Sequence, residues 1–416
     1  MPLPSKNADM TLGKSILKYC MCTMFILFGM TSCSWYEEEE EIRYDRTILV
    51  YMAAENTLSS YYQDDIYEML RGVEDIPKNS QLIIYVDDTQ LPRIISIKKN
   101  KEGEPIQNIL HEYDTEQDSG DPETLRQVMR WMVKHRPAKS YGLVLWSHGD
   151  AWVPTDDAPI QRSICIDNNQ NISYSDKGSK MNITNLGEVL SSYPKLEFIL
   201  FDACFMQSVE VAHELRYTTK FIVASPAEIP GPGAPYHRII KPMFASPFNA
   251  NKIAEEYFQA YNDGDRDSEL QNYGVLLSVI DCNLLESFAS ITAEMVIKYA
   301  AEDSVLQAND ILHYCPKPNT SRPNYYDMNA YMLHLITEES DYIRWKSILD
   351  KTICYSATTP WWYSIYSSQG REFVDLDTYS GISCYVPQKD DTHTALNTKF
   401  RTTSWYVSAG WQQLGW

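Results

Sequence analysis

The chain has 416 residues, of which 44% are hydrophobic and 12% aromatic, and its 56 acidic residues outnumber 36 basic ones. At roughly 150 residues per domain, this length allows two or three globular units, and the aromatic content excludes a largely disordered chain. The formal charge of −20 argues against a general nucleic-acid-binding protein, because the phosphate backbone is bound by positively charged surfaces. The same charge favours cationic partners or substrates.

The first 32 residues have the composition of a secretory signal peptide. Three lysines within the first 18 residues precede an apolar stretch at 19–30, and small residues come directly before Cys33. The run 30–33 resembles a bacterial lipobox, in which Cys33 is lipidated and becomes the mature N-terminus. An ordinary signal peptide with an incidental cysteine is the alternative.

Residues 33–45 predict an acidic tether between this signal and the first folded segment. They include five consecutive glutamates, Glu37–Glu41, whose charges must stay solvated. No later run reaches the ~18 apolar residues that a membrane span needs. We therefore expect an extracytoplasmic protein at the outer membrane or cell surface, held to the membrane through its lipid anchor.

Apolar runs alternate with helical patterns from residue 46 to residue 240, which we expect to form one domain. Helical patterns end near residues 71, 137, 193 and 216, and the first of them starts after Asn56. Strands are predicted at 47–52, 82–86, 93–98, 141–146, 164–166, 196–201 and 221–225. This α/β alternation with short connections predicts a mostly parallel sheet covered by helices on both faces, a three-layer sandwich.

Residues 241–416 are expected to form an α/β extension that widens the sheet or buttresses the first domain. The patterns indicate a strand at 275–280 and helices at 251–262, 284–300 and 345–356. The aromatic cluster Trp361–Tyr363 with Tyr366 is more typical of core packing than of a platform for carbohydrate stacking. The sequence predicts no chemistry for this half.

Two chemically active residue types follow the ends of predicted strands. His148 comes after the strand at 141–146, and Cys204 after the strand at 196–201. Ligands of open α/β sheets bind at the carboxyl ends of the strands, so we expect these two side chains to flank one groove. The six cysteines beyond Cys33 include no CxxC pair, which argues against a zinc site or a redox pair.

A cysteine beside a histidine supports nucleophilic catalysis. The thiolate is the nucleophile, and a neighbouring imidazole lowers the thiol pKa or protonates a leaving amine. The backbone N–H groups of Gly149 and Cys204 are expected to stabilise an oxyanion, and Gly149 leaves room for a substrate carbonyl. The alternatives are a cysteine that only packs and a histidine that only caps a helix.

The strings around both residues resemble a known family. Leu145–Gly149 and Phe201–Met206 are similar to the histidine and cysteine blocks of the clostripain family of cysteine peptidases, in the caspase, legumain and gingipain clan. Further similar blocks occur in the same order at 50–56, 120–125 and 209–216. The resemblance implies a caspase-like α/β/α sandwich with residues 46–240 as the catalytic domain. It also implies Cys204 as the nucleophile and His148 as the general acid.

The resemblance further implies cleavage after Arg or Lys. Asp202 matches an acidic residue associated with the primary specificity pocket of the family, although it would also suit a cap of the next helix. The sequence departs from the family in the loop at 225–236, where Pro232 and Ala234 stand at the positions of an Asp and a Trp. Glu228 is a candidate to compensate for the lost carboxylate, and a surface glutamate is the alternative.

A polar segment at 156–180 separates the two blocks. Relatives are often cut in this region during maturation, and Arg162, Lys177 and Lys180 are the basic candidates; an uncleaved loop is the alternative. Some relatives need calcium, for which the turn at 167–169 offers oxygen atoms, but the pattern does not establish a metal site. We therefore expect no cofactor, with calcium dependence left open.

These observations predict an exported, lipid-anchored cysteine endopeptidase that acts on peptides or proteins and binds no nucleic acid. The alternative is a binding or scaffolding lipoprotein that keeps the peptidase fold without its activity. The altered residues Pro232 and Ala234 motivate that alternative, whereas the presence of both His148 and Cys204 argues against it.

Overall fold

A nine-stranded sheet forms the centre of the protein. The computed structural model describes residues 43–152, 164–168, 178–263, 270–300, 311–314, 324–365, 367, 369–388 and 394–416, all within one compact unit. The described strands are β1 (Tyr44–Ala53), β2 (Ser80–Asp87), β3 (Arg93–Lys99), β4 (Pro105–Glu112), β5 (Ala138–Trp146), β6 (Ile164–Asp167), β7 (Ser179–Met181), β8 (Leu196–Asp202), β9 (Thr219–Ala224), β10 (Leu276–Asp281), β11 (Tyr326–Asp327), β12 (Ile353–Thr358), β13 (Trp361–Tyr363), β14 (Arg371–Phe373) and β15 (Ser383–Cys384).

Helices cover the sheet. The described α-helices are α1 (Tyr62–Arg71), α2 (Pro122–His135), α3 (Ile183–Ser191), α4 (Val209–Leu215), α5 (Tyr236–Met243), α6 (Ala250–Asn262), α7 (Leu285–Tyr299), α8 (Met328–Leu335), α9 (Glu339–Thr352), α10 (Thr394–Phe400) and α11 (Ser404–Ser408). None of these helices is long and apolar enough to cross a bilayer.

The strand order is β12-β10-β9-β8-β5-β1-β2-β3-β4. The five central strands β9, β8, β5, β1 and β2 are parallel, and the strands flanking them on both sides pair antiparallel. Short two-stranded ladders join β6 to β7, β11 to β15 and β13 to β14. The predicted mostly parallel sheet with helices is therefore confirmed.

Alternate residues of the central strands pack on opposite faces of the sheet. In β1, Leu49 and Tyr51 belong to one apolar cluster, whereas Ile48, Val50 and Met52 belong to the other. Helices α2, α3, α4 and α7 cover the first face, and α1, α5 and α6 cover the second. Each large apolar side chain removed from water contributes about 1.5–3 kcal/mol, which explains why continuous apolar runs predicted these strands well.

Helix α1 begins later than predicted because the Asn56 side chain hydrogen-bonds to the backbone and stabilises turns after β1. The Asn56 amide donates to the carbonyls of Ala53 and Ile166, and its Oδ1 accepts from the N–H of Leu58. These bonds hold residues 56–61 in turns, and the helix starts only at Tyr62. A side-chain hydrogen bond to nearby backbone competes with helix formation in this way.

The C-terminal half supplies two strands to the main sheet. β10 pairs with β9, and β12 forms the outer edge. The prediction of a helix at 345–356 is wrong beyond Thr352, because residues 353–358 instead pair antiparallel with β10. The predicted boundary between residues 240 and 241 lies inside α5, and strands from both sides of it share one sheet.

Edge strand β4 was missed by the sequence analysis. Its side chains are exposed or half-buried along its whole length, so it lacks the apolar run that marks the central strands.

Among the described cysteines no disulfide occurs: Cys165, Cys282 and Cys384 are buried, Cys354 is exposed, and Cys204 is half-buried.

Candidate active site

His148 and Cys204 occupy equivalent positions beyond the ends of two paired strands. β5 and β8 run parallel, and the last pair of their register joins Trp146 to Asp202. His148 and Cys204 each follow two residues later, and neighbouring strands lie about 4.8 Å apart. Both side chains are half-buried and line one cleft at the carboxyl ends of the strands. The fold thus brings together the two side chains that the sequence predicts to be neighbours.

Polar contacts hold the loop that carries His148. The Thr57 hydroxyl lies 2.7 Å from His148 Nε2. On one side of the histidine, the Ser147 hydroxyl accepts a hydrogen bond from the backbone N–H of Ile166. On the other side, Gly149 forms an antiparallel bridge with the first residue of β6. The short strand β6 therefore supports both flanks of the histidine.

Backbone bonds and aromatic packing hold the loop that carries Cys204. The thiol sulfur accepts a hydrogen bond from the N–H of Ile229, with an N···S distance of 3.3 Å. The next residue, Phe205, has a left-handed backbone with φ 63°, and its N–H donates to the carbonyl of Ala227. Its ring stacks on Tyr325 with centroids 5.1 Å apart. Because this φ is unfavourable for a bulky residue, the surrounding contacts must maintain the shape of the loop.

The two loops touch at Gly149. A Cβ atom at this position would lie 2.7 Å from the Cys204 carbonyl oxygen and 2.9 Å from Met206 Sδ. Any other residue would therefore push the His148 loop away from the cysteine. The sequence analysis attributed this glycine to the approach of a substrate carbonyl, and the structure adds packing between the loops as a second reason.

Asp202 lines the same cleft and is only 5% exposed. Its carboxylate accepts hydrogen bonds from the backbone N–H of Ala234 and from the hydroxyls of Tyr236 and Tyr257. Burial raises the pKa of Asp202 to about 6, and these hydrogen bonds oppose the rise. The alternative role as a helix cap does not apply, because the Ser208 hydroxyl caps α4.

The loop that departs from the family pattern closes over Asp202. Gly233 has φ 64°, and a Cβ there would lie 2.9 Å from the Asp202 carboxylate. Ala234 is buried and contributes its backbone N–H to that carboxylate, and Pro232 is half-buried. Glu228 also lines the cleft and accepts a hydrogen bond from the N–H of Ile365. At 4% exposure it is not the surface glutamate of the alternative interpretation.

Asp150, which directly follows Gly149, is buried. The Tyr325 hydroxyl donates to its carboxylate at 2.7 Å. Tyr325 also stacks on Phe205, as described above. One tyrosine from the C-terminal half therefore contacts both loops of the cleft.

Several residues of the site were missed by the sequence analysis. Tyr363 and Ile365 line the cleft, although no chemistry was predicted for the C-terminal half. Asp65 of α1 is buried, and the Trp146 indole N–H donates a hydrogen bond to its carboxyl group at 2.7 Å. Burial, and next the charge of Asp202, raise the pKa of Asp65. A signal for Asp65 was available, because it lies on the apolar stripe of α1, whereas nothing marked Thr57.

The remaining predicted positions lie away from this cleft or outside the described residues. Cys33, Arg162 and Lys177 are outside the described residues. Lys180 lies within β7, where it is half-buried in the ladder with β6. Cleavage after Lys180 would therefore require that strand to leave its partner first.

A group of three carboxylates lies at the ends of β1, β2 and β6. Glu55, Asp87 and Asp167 each offer an oxygen, and these oxygens all lie within 4.8 Å of one another. Asp167 belongs to the turn that the sequence analysis considered for calcium, and Asn168 of that turn donates its N–H to the Glu55 carbonyl. Burial raises the pKa of Asp87 to about 10, so its ionised form is disfavoured unless a positive charge compensates it.

Comparisons with known proteins agree on one family. A sequence profile described as the Clostripain family matches residues 50–416. Clostripain from Hathewaya histolytica is 30% identical over 223 residues, which are 46% of this chain and 41% of clostripain. The match thus spans less than half the length of that curated relative.

Two solved structures are similar over nearly their whole length. A secreted C11 cysteine protease from Bacteroides thetaiotaomicron, in complex with an irreversible peptide inhibitor, is 32% identical with a TM-score of 0.77. The similarity covers 89% of this chain and 99% of that one. An inactive zymogen C11 protease from Parabacteroides distasonis is 30% identical with a TM-score of 0.74, covering 88% and 98%. These comparisons confirm the predicted resemblance and the predicted caspase-like fold class.

Proposed function

Because the chain belongs to the clostripain family of cysteine peptidases, we propose that it is an exported, lipid-anchored endopeptidase with Cys204 and His148 as its catalytic dyad. The observation that carries this proposal is the shared cleft of these two side chains at the ends of β5 and β8. The three buried thiols of the described chain are unsuited to the role because the core excludes substrate from them.

Hydrolysis proceeds in two steps. The Cys204 thiolate attacks the scissile carbonyl carbon, a C–S bond forms, and the carbonyl electron pair moves onto oxygen. When the intermediate collapses, the C–N bond breaks and His148 transfers a proton to the departing amine. Water then attacks the thioester and releases the acid and the free thiol. The N–H groups of Gly149 and Cys204 stabilise the oxyanion in both steps, because the loops that bear them touch at Gly149.

A basic residue before the scissile bond is the proposed specificity. Asp202 and Glu228 contribute two carboxylates to the cleft, and the net charge of −20 attracts cationic substrates over a longer range. The changed positions Pro232 and Ala234 leave this assignment possible, since the backbone of Ala234 organises Asp202 without a further acidic side chain. The sequence around Cys33 supports the lipid anchor. The similar protease from Bacteroides thetaiotaomicron is described as secreted, which supports export.

Self-cleavage at Arg162, Lys177 or Lys180 is part of this proposal. Cleavage at the first two sites leaves β7 paired with β6, whereas Lys180 is held inside that pairing. We therefore rank Lys180 as the slowest of the three sites.

The test compares the wild type with Cys204→Ala on a fluorogenic peptide library containing Arg and Lys substrates. We expect the substitution to lower kcat/KM by at least about 1,000-fold, because the nucleophile is removed. Cys354→Ala is the matched control, since it removes a different exposed thiol and should leave the rate unchanged. Equal rates for the wild type and Cys204→Ala would refute the assignment.

A peptidase fold without activity is the second candidate, and the similarity to a structure named an inactive zymogen favours testing it. The same library is therefore repeated after limited trypsin treatment and with calcium added. If no condition gives cleavage, the scaffold hypothesis replaces the peptidase. Membrane attachment is tested separately with Cys33→Ala, which should move the protein from the membrane fraction to the soluble fraction.

A further inference from the structure

The cleft has an apolar wall that belongs to the C-terminal half of the chain. Tyr363 and Ile365 line the cleft together with Cys204. Ser364, which lies between them, is fully buried, so alternate side chains of this short segment point towards the cleft and away from it. The Ile365 side chain is large and apolar, yet it is 61% exposed. A ligand that covers this side chain removes apolar surface from water, which favours binding.

Hydrogen bonds hold the backbone of this wall in place. The Tyr363 N–H donates to the carbonyl of Gly274 at 3.1 Å. The Ile365 N–H donates to the Glu228 carboxylate at 3.3 Å. The wall is therefore preformed, and a ligand that binds there does not have to order the segment first.

The wall stands beside the loop at 228–231, which contacts the sulfur. Glu228 bonds to Ile365, and the next residue, Ile229, donates its N–H to Cys204 Sγ at 3.3 Å. Burial, and next the charge of Glu228, raise the pKa of Tyr363, which agrees with a position close to that carboxylate. Both wall residues therefore belong to the side of the cleft that this loop forms.

The strand order places the wall and the histidine on opposite sides of the cysteine. Strands β9, β8, β5 and β1 are consecutive neighbours in the sheet. The loop at 228–231 follows β9, Cys204 follows β8, His148 follows β5, and Thr57 follows β1. The edge of the sheet therefore presents the wall, the sulfur, the imidazole and the Thr57 hydroxyl in this order.

This order decides which part of a substrate meets the wall. In the proposed reaction, His148 gives a proton to the departing amine, so the residues after the scissile bond lie on the histidine side. The acyl part, which precedes that bond, lies on the side of the loop at 228–231. Its basic side chain extends to Asp202, deep in the cleft at 5% exposure. Successive side chains of an extended peptide point in opposite directions, so the preceding one points towards the exposed rim, where Ile365 lies.

We propose that Tyr363 and Ile365 bind an apolar side chain of the substrate residue directly before the basic residue. This inference rests on the proposed peptidase function and adds a second specificity determinant to it. An acidic residue at the same position is disfavoured, because the carboxylates of Asp202 and Glu228 line the same cleft.

Hydrolysis of four matched substrates tests the wall. They are acetyl-Gly-X-Arg-aminomethylcoumarin peptides in which X is leucine, valine, serine or aspartate. We expect kcat/KM to be about tenfold higher with leucine or valine than with serine, and lowest with aspartate. Equal values for leucine and serine in the wild type would refute the wall, while cleavage itself would leave the peptidase assignment intact.

Two substitutions of Ile365 should change this preference in different ways. Ile365→Ser should reduce the leucine-to-serine ratio about 3–5-fold, because apolar contact is lost, and it should leave the rate on the serine substrate within about threefold. Ile365→Lys should raise the rate on the aspartate substrate relative to leucine by at least about tenfold, because it places a positive charge on the wall. A preference that stays the same in both variants would refute the role of Ile365.

Leu376→Ser is the matched control for these changes. Leu376 is 63% exposed, like Ile365, but it is not one of the described residues that line the cleft. Its substitution should leave all four rates unchanged. If Leu376→Ser reduces the leucine-to-serine ratio as much as Ile365→Ser does, the effect is not local and the wall is refuted.

Binding measured without catalysis separates this inference from the proposed function. Fluorescein-labelled Gly-X-Arg-Gly-Gly peptides are titrated against the full chain carrying Cys204→Ala, with fluorescence anisotropy as the readout. The leucine peptide should bind at least about fivefold more tightly than the serine peptide, and Ile365→Ser should abolish the difference. Equal affinities in the parent would refute the wall. The expected difference in a protein whose wild type cleaves no substrate would support the wall and contradict only the peptidase.

Discussion

The loop of His148 and the loop of Cys204 meet at one cleft, but different kinds of contact hold them. Polar side-chain bonds, above all to Thr57 and through Ser147, hold the histidine loop. Backbone bonds and the stacked ring of Phe205 hold the cysteine loop. A single hydrogen bond contributes about 0.5–1.5 kcal/mol, so we expect the histidine loop to be displaced at a lower cost in free energy than the packed cysteine loop.

This difference separates two requirements of the proposed chemistry. The sulfur must lie at a fixed position relative to the oxyanion donors, and close packing provides that rigidity. The imidazole must exchange protons, and the hydroxyl of Thr57 contacts it directly. Changes at the two loops should therefore have different signatures.

The largest effect is expected where the loops touch. Gly149→Ala places a methyl group 2.7 Å from the Cys204 carbonyl oxygen and separates the loops. We expect kcat/KM to fall by at least about 100-fold, and the free energy of unfolding to fall by about 1–3 kcal/mol. Peptide hydrolysis and denaturant unfolding measure the two quantities.

Gly187→Ala is the control for this change. A Cβ at Gly187, inside α3, meets no atom closer than 3.6 Å. It should stabilise the protein by about 0.5–1 kcal/mol and leave hydrolysis unchanged. Similar activity in both alanine variants would contradict the contact between the loops.

An intermediate effect is expected at Asp202, on the cysteine side. Its pKa of about 6 means that the carboxylate is ionised above pH 6 and protonated below it. The preference for an Arg substrate over its neutral citrulline counterpart should therefore rise with pH through about 6. The ratio of the two kcat/KM values isolates this titration, because both substrates share the chemistry of the dyad.

Asp202→Asn should lower that ratio by about 10–100-fold at pH 8 and remove its pH dependence. Glu228→Gln provides the comparison, since it should lower the ratio while the transition near pH 6 remains. A ratio that does not vary with pH in the wild type would argue against contact between Asp202 and the basic side chain.

The smallest effect is expected at Thr57, on the histidine side. Thr57→Val removes the hydroxyl that lies 2.7 Å from His148 Nε2, and kcat should fall by about 2–10-fold with little change in KM. The pH profile of kcat should shift as well, because the imidazole loses a hydrogen-bonding partner. Thr57→Ser keeps the hydroxyl and should restore both; a valine variant with an unchanged pH profile would contradict this role.

Much of the fold was predictable because the central strands are buried on both faces. Continuous apolar runs such as 47–52 and 196–201 cannot be solvated, and they fall within β1 and β8. Edge strands β4 and β12 escaped prediction because pairing with a neighbour, rather than burial, decides their conformation. The start of α1 escaped because Asn56 bonds to Ile166, a residue 110 positions away.

The candidate site was predictable where its residues lie directly after a strand. His148, Cys204 and Asp202 met this condition, since the ends of parallel strands converge on one edge. Tyr325 and Tyr363 did not, because they belong to distant segments that fold back onto the cleft. Asp87 and Glu55 also stand at strand ends, but they form a group of three carboxylates only with Asp167, which β6 brings to them.

The amino-acid order by itself determined which strands form, because apolar side chains leave water wherever the chain offers them, and it determined which reactive groups stand at strand ends. Only the tertiary structure decided what surrounds those groups. Burial of Asp202, contact between the loops at Gly149, and convergence of three carboxylates all arise between residues far apart in the chain. Electrostatic and steric effects act through space over a few ångströms, and local sequence patterns do not record those distances.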